Sequence, residues 1–99
     1  MPDKKKIIET IKANKKELEE KYGFITIYLF GSFATDSANE TSDIDIAVEA
    51  NNSYKTWDNF LNAKDDLKSK LGQDIDLVYI DSMNPIIKDE ASKDFIKIE

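Results

Sequence analysis

The residues best suited to chemistry sit in two copies of one tripeptide, Asp-Ile-Asp at 43–45 and again at 74–76. Residues two apart on a strand point to one face about 6.6 Å apart, so Asp43 and Asp45 project together while Ile44 and Ile46 turn into a core. Such a pair of carboxylates is self-repelling until a hard dication with oxygen ligands sits between them. Asp76, in the same pattern on a later strand, completes the cluster if the two strands are neighbours in a sheet. About a dozen residues before Asp43, Gly31-Ser32 closes an apolar run. A glycine lets backbone approach a ligand closely and a turn into a helix offers unpaired amides to an anion, so phosphate oxygens fit there. Either feature alone is commonplace, whereas a Gly-Ser turn followed at this distance by Asp-Ile-Asp and then by another strand aspartate is specific.

The elements that must hold these residues are legible as periodicities. Ile7, Ile8, Ile11, Leu18 and Tyr22 recur at helical spacing, which predicts one amphipathic helix ended by Gly23. Phe24–Phe30 is β-branched or aromatic almost throughout, which predicts a strand buried on both faces and running straight into Gly31. A short helix capped by Ser32 and a polar loop follow, then a second strand over 43–48, and a turn and cap at Asn51, Asn52 and Ser53. Trp57, Phe60, Leu61, Leu67 and Leu71 recur at helical spacing up to Gly72, and 74–80 repeats the strand pattern. Asn84-Pro85 opens a last short helix through Ile87 and Ala91, while 95–98 is compatible with helix or strand. Helices alternating with strands predict an α/β (α+β) fold, a small mixed sheet flanked by helices, as one domain over 1–99.

Composition narrows the chemistry further. The chain has 99 residues, no cysteine and no histidine, which excludes thiolate or histidine metal sites and a Ser-His-Asp triad. Its net charge of −6 argues against direct nucleic-acid binding. All fourteen basic residues are lysine, so no guanidinium fork exists to clamp a phosphate. Neither a signal peptide nor a membrane span is evident, which makes a cytoplasmic setting the expectation. An EF-hand reading of either Asp-Ile-Asp fails because apolar residues follow where a calcium loop needs oxygen ligands.

Residues 30–48, Phe-Gly-Ser-Phe-Ala-Thr-Asp-Ser-Ala-Asn-Glu-Thr-Ser-Asp-Ile-Asp-Ile-Ala-Val, resemble the signature of the polymerase-β-like nucleotidyltransferase superfamily in its minimal form. That form comprises the short MNT domains encoded beside helical HEPN proteins as toxin-antitoxin pairs. The resemblance covers nearly the whole chain. It implies metal ligands at Asp43 and Asp45, a third carboxylate at Asp76, and phosphate binding at Gly31 and Ser32. It also implies two Mg2+ ions, ATP as substrate, and AMP transfer to a tyrosine hydroxyl of a HEPN-type toxin. Relatives carry a basic residue and then glycine where Thr35 and Asp36 stand here, a departure that favours the alternative of a binding module that neutralises its partner by docking. Adenylylation of a small molecule is the third reading. Beside these, Asp74 reads as a solvated neighbour, Trp57 and Phe60 as core, the four tyrosines as packing residues, and Lys4, Lys5 and Lys6 as a solvated helix start.

Overall fold

A computed structural model describes all residues 1–99. The chain runs α1 (Lys4–Ala13), α2 (Lys15–Tyr22), β1 (Phe24–Phe30), α3 (Gly31–Ala34), β2 (Ile44–Ala50), α4 (Trp57–Leu71), β3 (Ile75–Tyr79), α5 (Pro85–Ala91) and β4 (Ile96–Ile98). The strands form one sheet in the order β3-β2-β1-β4. β1 pairs antiparallel with both β2 and β4, and β2 pairs parallel with β3 through the α4 crossover. The mixed sheet flanked by helices is the architecture that the alternation of periods implies. The ending left open between helix and strand is a strand.

Period-2 alternation gives this sheet two unlike faces. Ile27, Leu29, Ile44, Ile46, Val48, Ile75, Leu77 and Ile98 are buried against Ile7, Ile11 and Leu18 of α1 and α2 and Ala63, Leu67 and Leu71 of α4. Residues of the opposite parity lie on the other face, among them Tyr28, Phe30, Asp45 and Asp76. The isoleucines of both Asp-Ile-Asp copies are thus core anchors, and their burial commits the flanking aspartates to the other side. The caps match the termini: Asp3 accepts from the Lys6 amide at 2.8 Å, Thr56 from the Asn59 amide at 3.2 Å, and Asn84 from the Ile86 amide at 2.9 Å.

Four sequence expectations are corrected. The first helix is two helices, because Asn14 turns its side-chain amide back onto the Thr10 carbonyl at 2.8 Å and competes with the helical ladder. β1 is not buried on both faces: Ile25 is 61% exposed and Thr26, Tyr28 and Phe30 are half-buried, since that side meets Phe95 and the end of α5 around an open cavity and not a packed helix layer. Ser32 lies inside α3 and Phe30 occupies the cap without a side-chain bond, so the turn begins at the glycine itself. Trp57 is not core. It is the first residue of α4, 72% exposed, and stacks only on Phe60, with ring centres 5.9 Å apart, while Phe60 packs on Tyr79.

Candidate functional site

The parallel register of β2 on β3 pairs Ile44 with Ile75 and Asp45 with Asp76. The antiparallel register of β1 sets Phe30 opposite Asp45. Asp76, Asp45 and Phe30 therefore form one rung across three strands, with adjacent backbones about 4.8 Å apart, on the face opposite α1, α2 and α4. Gly31 follows Phe30 directly, with φ 71°. A methyl group built on it would overlap the Oδ2 atom of Asp45 and lie 2.8 Å from its Cγ. A glycine lets the turn take this left-handed backbone and close over that carboxylate without displacing it.

The sequence-predicted residues thus fall at one end of the sheet, with a distinction that spacing alone did not draw. Asp45 is half-buried, whereas Asp43 and Asp76 are exposed. Burial, followed by the Asp76 charge, a hydrogen bond with Asp76 and the Asp43 charge, pushes the Asp45 carboxyl up to about 6. None of the three aspartates forms an ion pair, while Asp74, in the same tripeptide, is held by Lys68 at 2.9 Å, which lowers its pKa. Asp74 is therefore the neutralised member of the repeat, and Asp45 with Asp76 the unneutralised pair. No three carboxylates converge into a ready-made metal cage. Asp45 with its carboxylate neighbours Asp43 and Asp76, none of them paired with a lysine, nevertheless offers hard-oxygen donors that fit Mg2+, which takes one or two carboxylates and fills its remaining positions with water and phosphate.

Around Gly31 the turn is tied down from beneath. Phe33 and Ala34 are buried, the Ser32 carbonyl accepts from the Ser37 amide at 2.9 Å, and the Thr35 and Ser37 hydroxyls are 2.8 Å apart. Asp36 is the one non-glycine residue with positive φ, at 59°. Its carboxylate meets the Lys4 ammonium at 2.9 Å, across 32 positions of sequence. Sequence reasoning missed this contact, which joins the start of α1 to a turn whose left-handed residue is an aspartate. It also missed the aromatic floor of the open face, where Tyr28 and Phe95 stack at 5.0 Å beside a cavity of about 600 Å³ lined in part by Glu49, Lys55 and Lys88. That floor exists because β4 adds to β1.

The raised Asp45 pKa predicts a pH dependence. Its folded value of about 6 lies above the ordinary 3.8, so the protonated form is favoured by folding. The stability this contributes is fully present below about pH 4 and is lost as pH rises through about 6. Half exposure reduces the effect to about 1 kcal/mol after solvent screening. Thermal melts in EDTA from pH 4 to 7 should show this loss in the parent and lack it in Asp45→Asn; parallel curves would contradict it.

Comparison with known proteins gives a consistent pattern. The family model described as polymerase beta, nucleotidyltransferase matches residues 5–98. A Methanocaldococcus jannaschii protein provisionally named a protein adenylyltransferase is 37% identical over 94 residues, covering 93% of this chain and 94% of that protein. A solved structure provisionally described as a minimal nucleotidyltransferase superposes with TM-score 0.73 at 26% identity, over 90% of this chain and 93% of its own. A crystal structure of a toxin-antitoxin with AMP-PNP superposes with TM-score 0.67, also at 26% identity, over 89% of this chain and 72% of its own.

Proposed function

Because the chain belongs to the polymerase beta nucleotidyltransferase family, as a minimal nucleotidyltransferase domain, we propose that it transfers AMP from ATP to a tyrosine hydroxyl of a separate HEPN-type toxin and so acts as an antitoxin. The observation that carries this reading is the rung of Asp76 and unneutralised Asp45 closed by Gly31. A protein acceptor accords with the curated relative named for protein adenylylation and with the toxin-antitoxin structure that contains an ATP analogue. It also accords with the open cavity on the sheet face opposite α1, α2 and α4 and the exposed Ile86 and Ile87 of α5, which offer apolar contact to a partner.

In the proposed reaction the acceptor hydroxyl attacks the α-phosphorus in line and pyrophosphate leaves. Asp45 and Asp43 hold the cation that accompanies the triphosphate, and the amides at Gly31 and Ser32 receive phosphate oxygens. Asp76, exposed at the rim of the pair, takes the hydroxyl proton on its carboxylate as the oxygen attacks. Bound Mg2+, two ions by family resemblance, supplies Lewis-acid stabilisation of the charge on the phosphates. The whole chain, 1–99, acts as one domain in this scheme.

Metal dependence follows from the charges. With EDTA, unneutralised carboxylates face a polyanion, so calorimetry should detect ATP binding with Mg2+ and at least tenfold weaker binding without it. Equal affinity in the two buffers would remove the metal from the account. A docking-only antitoxin is the second reading, favoured by the extra carboxylate that Asp36 places beside the turn. Under that reading the complex forms and ATP does not bind in either buffer.

A further inference from the structure

Residues 39–42 form the loop that delivers Asp43 to the start of β2, and most of its hydrogen bonds stay inside it. The Asn39 side chain accepts from the Thr41 amide at 2.9 Å and from its hydroxyl at 2.7 Å, and the Ser42 hydroxyl accepts from the Asn39 amide at 3.0 Å. One side chain supplies the loop's hydrogen bonds to the rest of the chain. Gln73 stands half-buried between the end of α4 and β3, and its Nε2 donates to the Ser42 carbonyl at 2.8 Å and to the Glu40 carbonyl at 3.3 Å. On the other side of Asp43, the Ile44 amide donates to the Asp74 carbonyl at 2.8 Å. Asp43 is thus bracketed by hydrogen bonds with two consecutive residues of one turn, 73 and 74.

Nothing else places Asp43. β2 begins at Ile44, so Asp43 lies outside the strand, and its side chain is exposed and unpaired, whereas Asp45 is half-buried under Gly31. A loop free to move at Ser42 would carry Asp43 away from Asp45. The neutral amide of Gln73 prevents this without adding a charge. A lysine in its place would be drawn to the carboxylates beside it, as Lys68 is to Asp74.

We propose that Gln73 is a positioning residue for the cation site: its side-chain amide fixes the Ser42 end of the loop so that Asp43 reaches the cation it shares with Asp45. This rests on the nucleotidyl-transfer reading, in which those two carboxylates hold the metal. Groups one step behind a metal ligand fix its orientation, and losing one costs roughly 10–100-fold in metal affinity. Asn59 supplies a matched control. Its Nδ2 also donates to two carbonyls, Tyr54 at 2.8 Å and Tyr22 at 3.3 Å, near the Phe24–Ala50 pair at the end of β1 and β2 away from Asp45.

Thermal melts of the full chain at saturating ATP, with Mg2+ titrated, read the metal dependence without a transfer step. The variants are Gln73→Ala and Gln73→Glu, the second keeping the shape and removing the donor. In both, the Mg2+ concentration giving half of the ATP-dependent rise in melting temperature should increase about tenfold. Asn59→Ala should melt below the parent and keep the parent's Mg2+ midpoint. If either Gln73 variant keeps that midpoint, or if Asn59→Ala raises it as much as Gln73→Ala does, the amide serves only general stability and the assignment falls while the nucleotidyl reading stands. A parent whose melting temperature does not respond to Mg2+ with ATP would overturn the metal site on which both rest.

Discussion

Asp45→Asn should lower nucleotidyl transfer on the order of a thousandfold and yet leave the metal-free domain at least as stable as the parent. Both effects come from one arrangement. Asp45 and Asp76 face each other across adjacent parallel strands, half-buried against exposed, with no lysine between them. Unit charges about 5 Å apart at an effective dielectric near 20 repel by roughly 3 kcal/mol before screening. Solvent reduces this to about 1 kcal/mol, which is the expected gain on removing the charge at neutral pH. Mg-ATP should raise the parent's melting temperature by binding only the folded state, and this rise should vanish in the mutant. Asp74→Asn is the internal control: it removes the same side chain from the same tripeptide, but one already paired with Lys68 on the surface, so transfer should be unaffected. An Asp45→Asn protein that melts well below the parent in EDTA and keeps its Mg-ATP shift would place Asp45 in the fold and outside the site.

Gly31→Ala should be damaging in both stability and activity. The left-handed backbone at φ 71° costs an alanine about 1–2 kcal/mol, and the added methyl overlaps the Asp45 carboxylate. The two together should destabilise by about 2–4 kcal/mol, read as a lower urea midpoint at unchanged slope. Because the second cost depends on Asp45, a double-mutant cycle separates them. In an Asp45→Ala background, Gly31→Ala should cost only the backbone part, about 1–2 kcal/mol. An equal cost in both backgrounds would mean that the glycine serves only the turn. Transfer should be lost in Gly31→Ala because the turn can no longer lie against Asp45.

Most of this site was legible in the sequence because its chemistry rides on strands. The period of two commits Ile44 and Ile75 to the core and with them Asp45 and Asp76 to the open face, and a strand end that carries Gly31 must turn there. What remained hidden depends on contacts between distant segments. That Asp74 is neutralised and Asp76 is not depends on Lys68 reaching back from α4. That Asp45 alone is pushed to about 6 depends on the register of β2 on β3 and on Gly31 above it, neither of which composition encodes. The Lys4 contact joins positions 32 apart through a turn whose left-handed residue is an aspartate. In the fold, Asn14 shows how a side chain that bonds its own backbone divides a helix that hydrophobic spacing alone runs together. Trp57 shows the reverse error, an apolar residue in helical register placed where no neighbour covers it.

The central claim, that this domain moves AMP from ATP onto a separate protein, is tested most directly by the intact mass of a HEPN-type partner co-purified with it. After incubation with ATP and Mg2+, the partner should gain one or more whole AMP units with the parent domain and none with Asp45→Asn, although both domains remain bound to it. A partner that stays at its unmodified mass in a stable complex with the parent would contradict transfer and leave docking as the means of neutralisation.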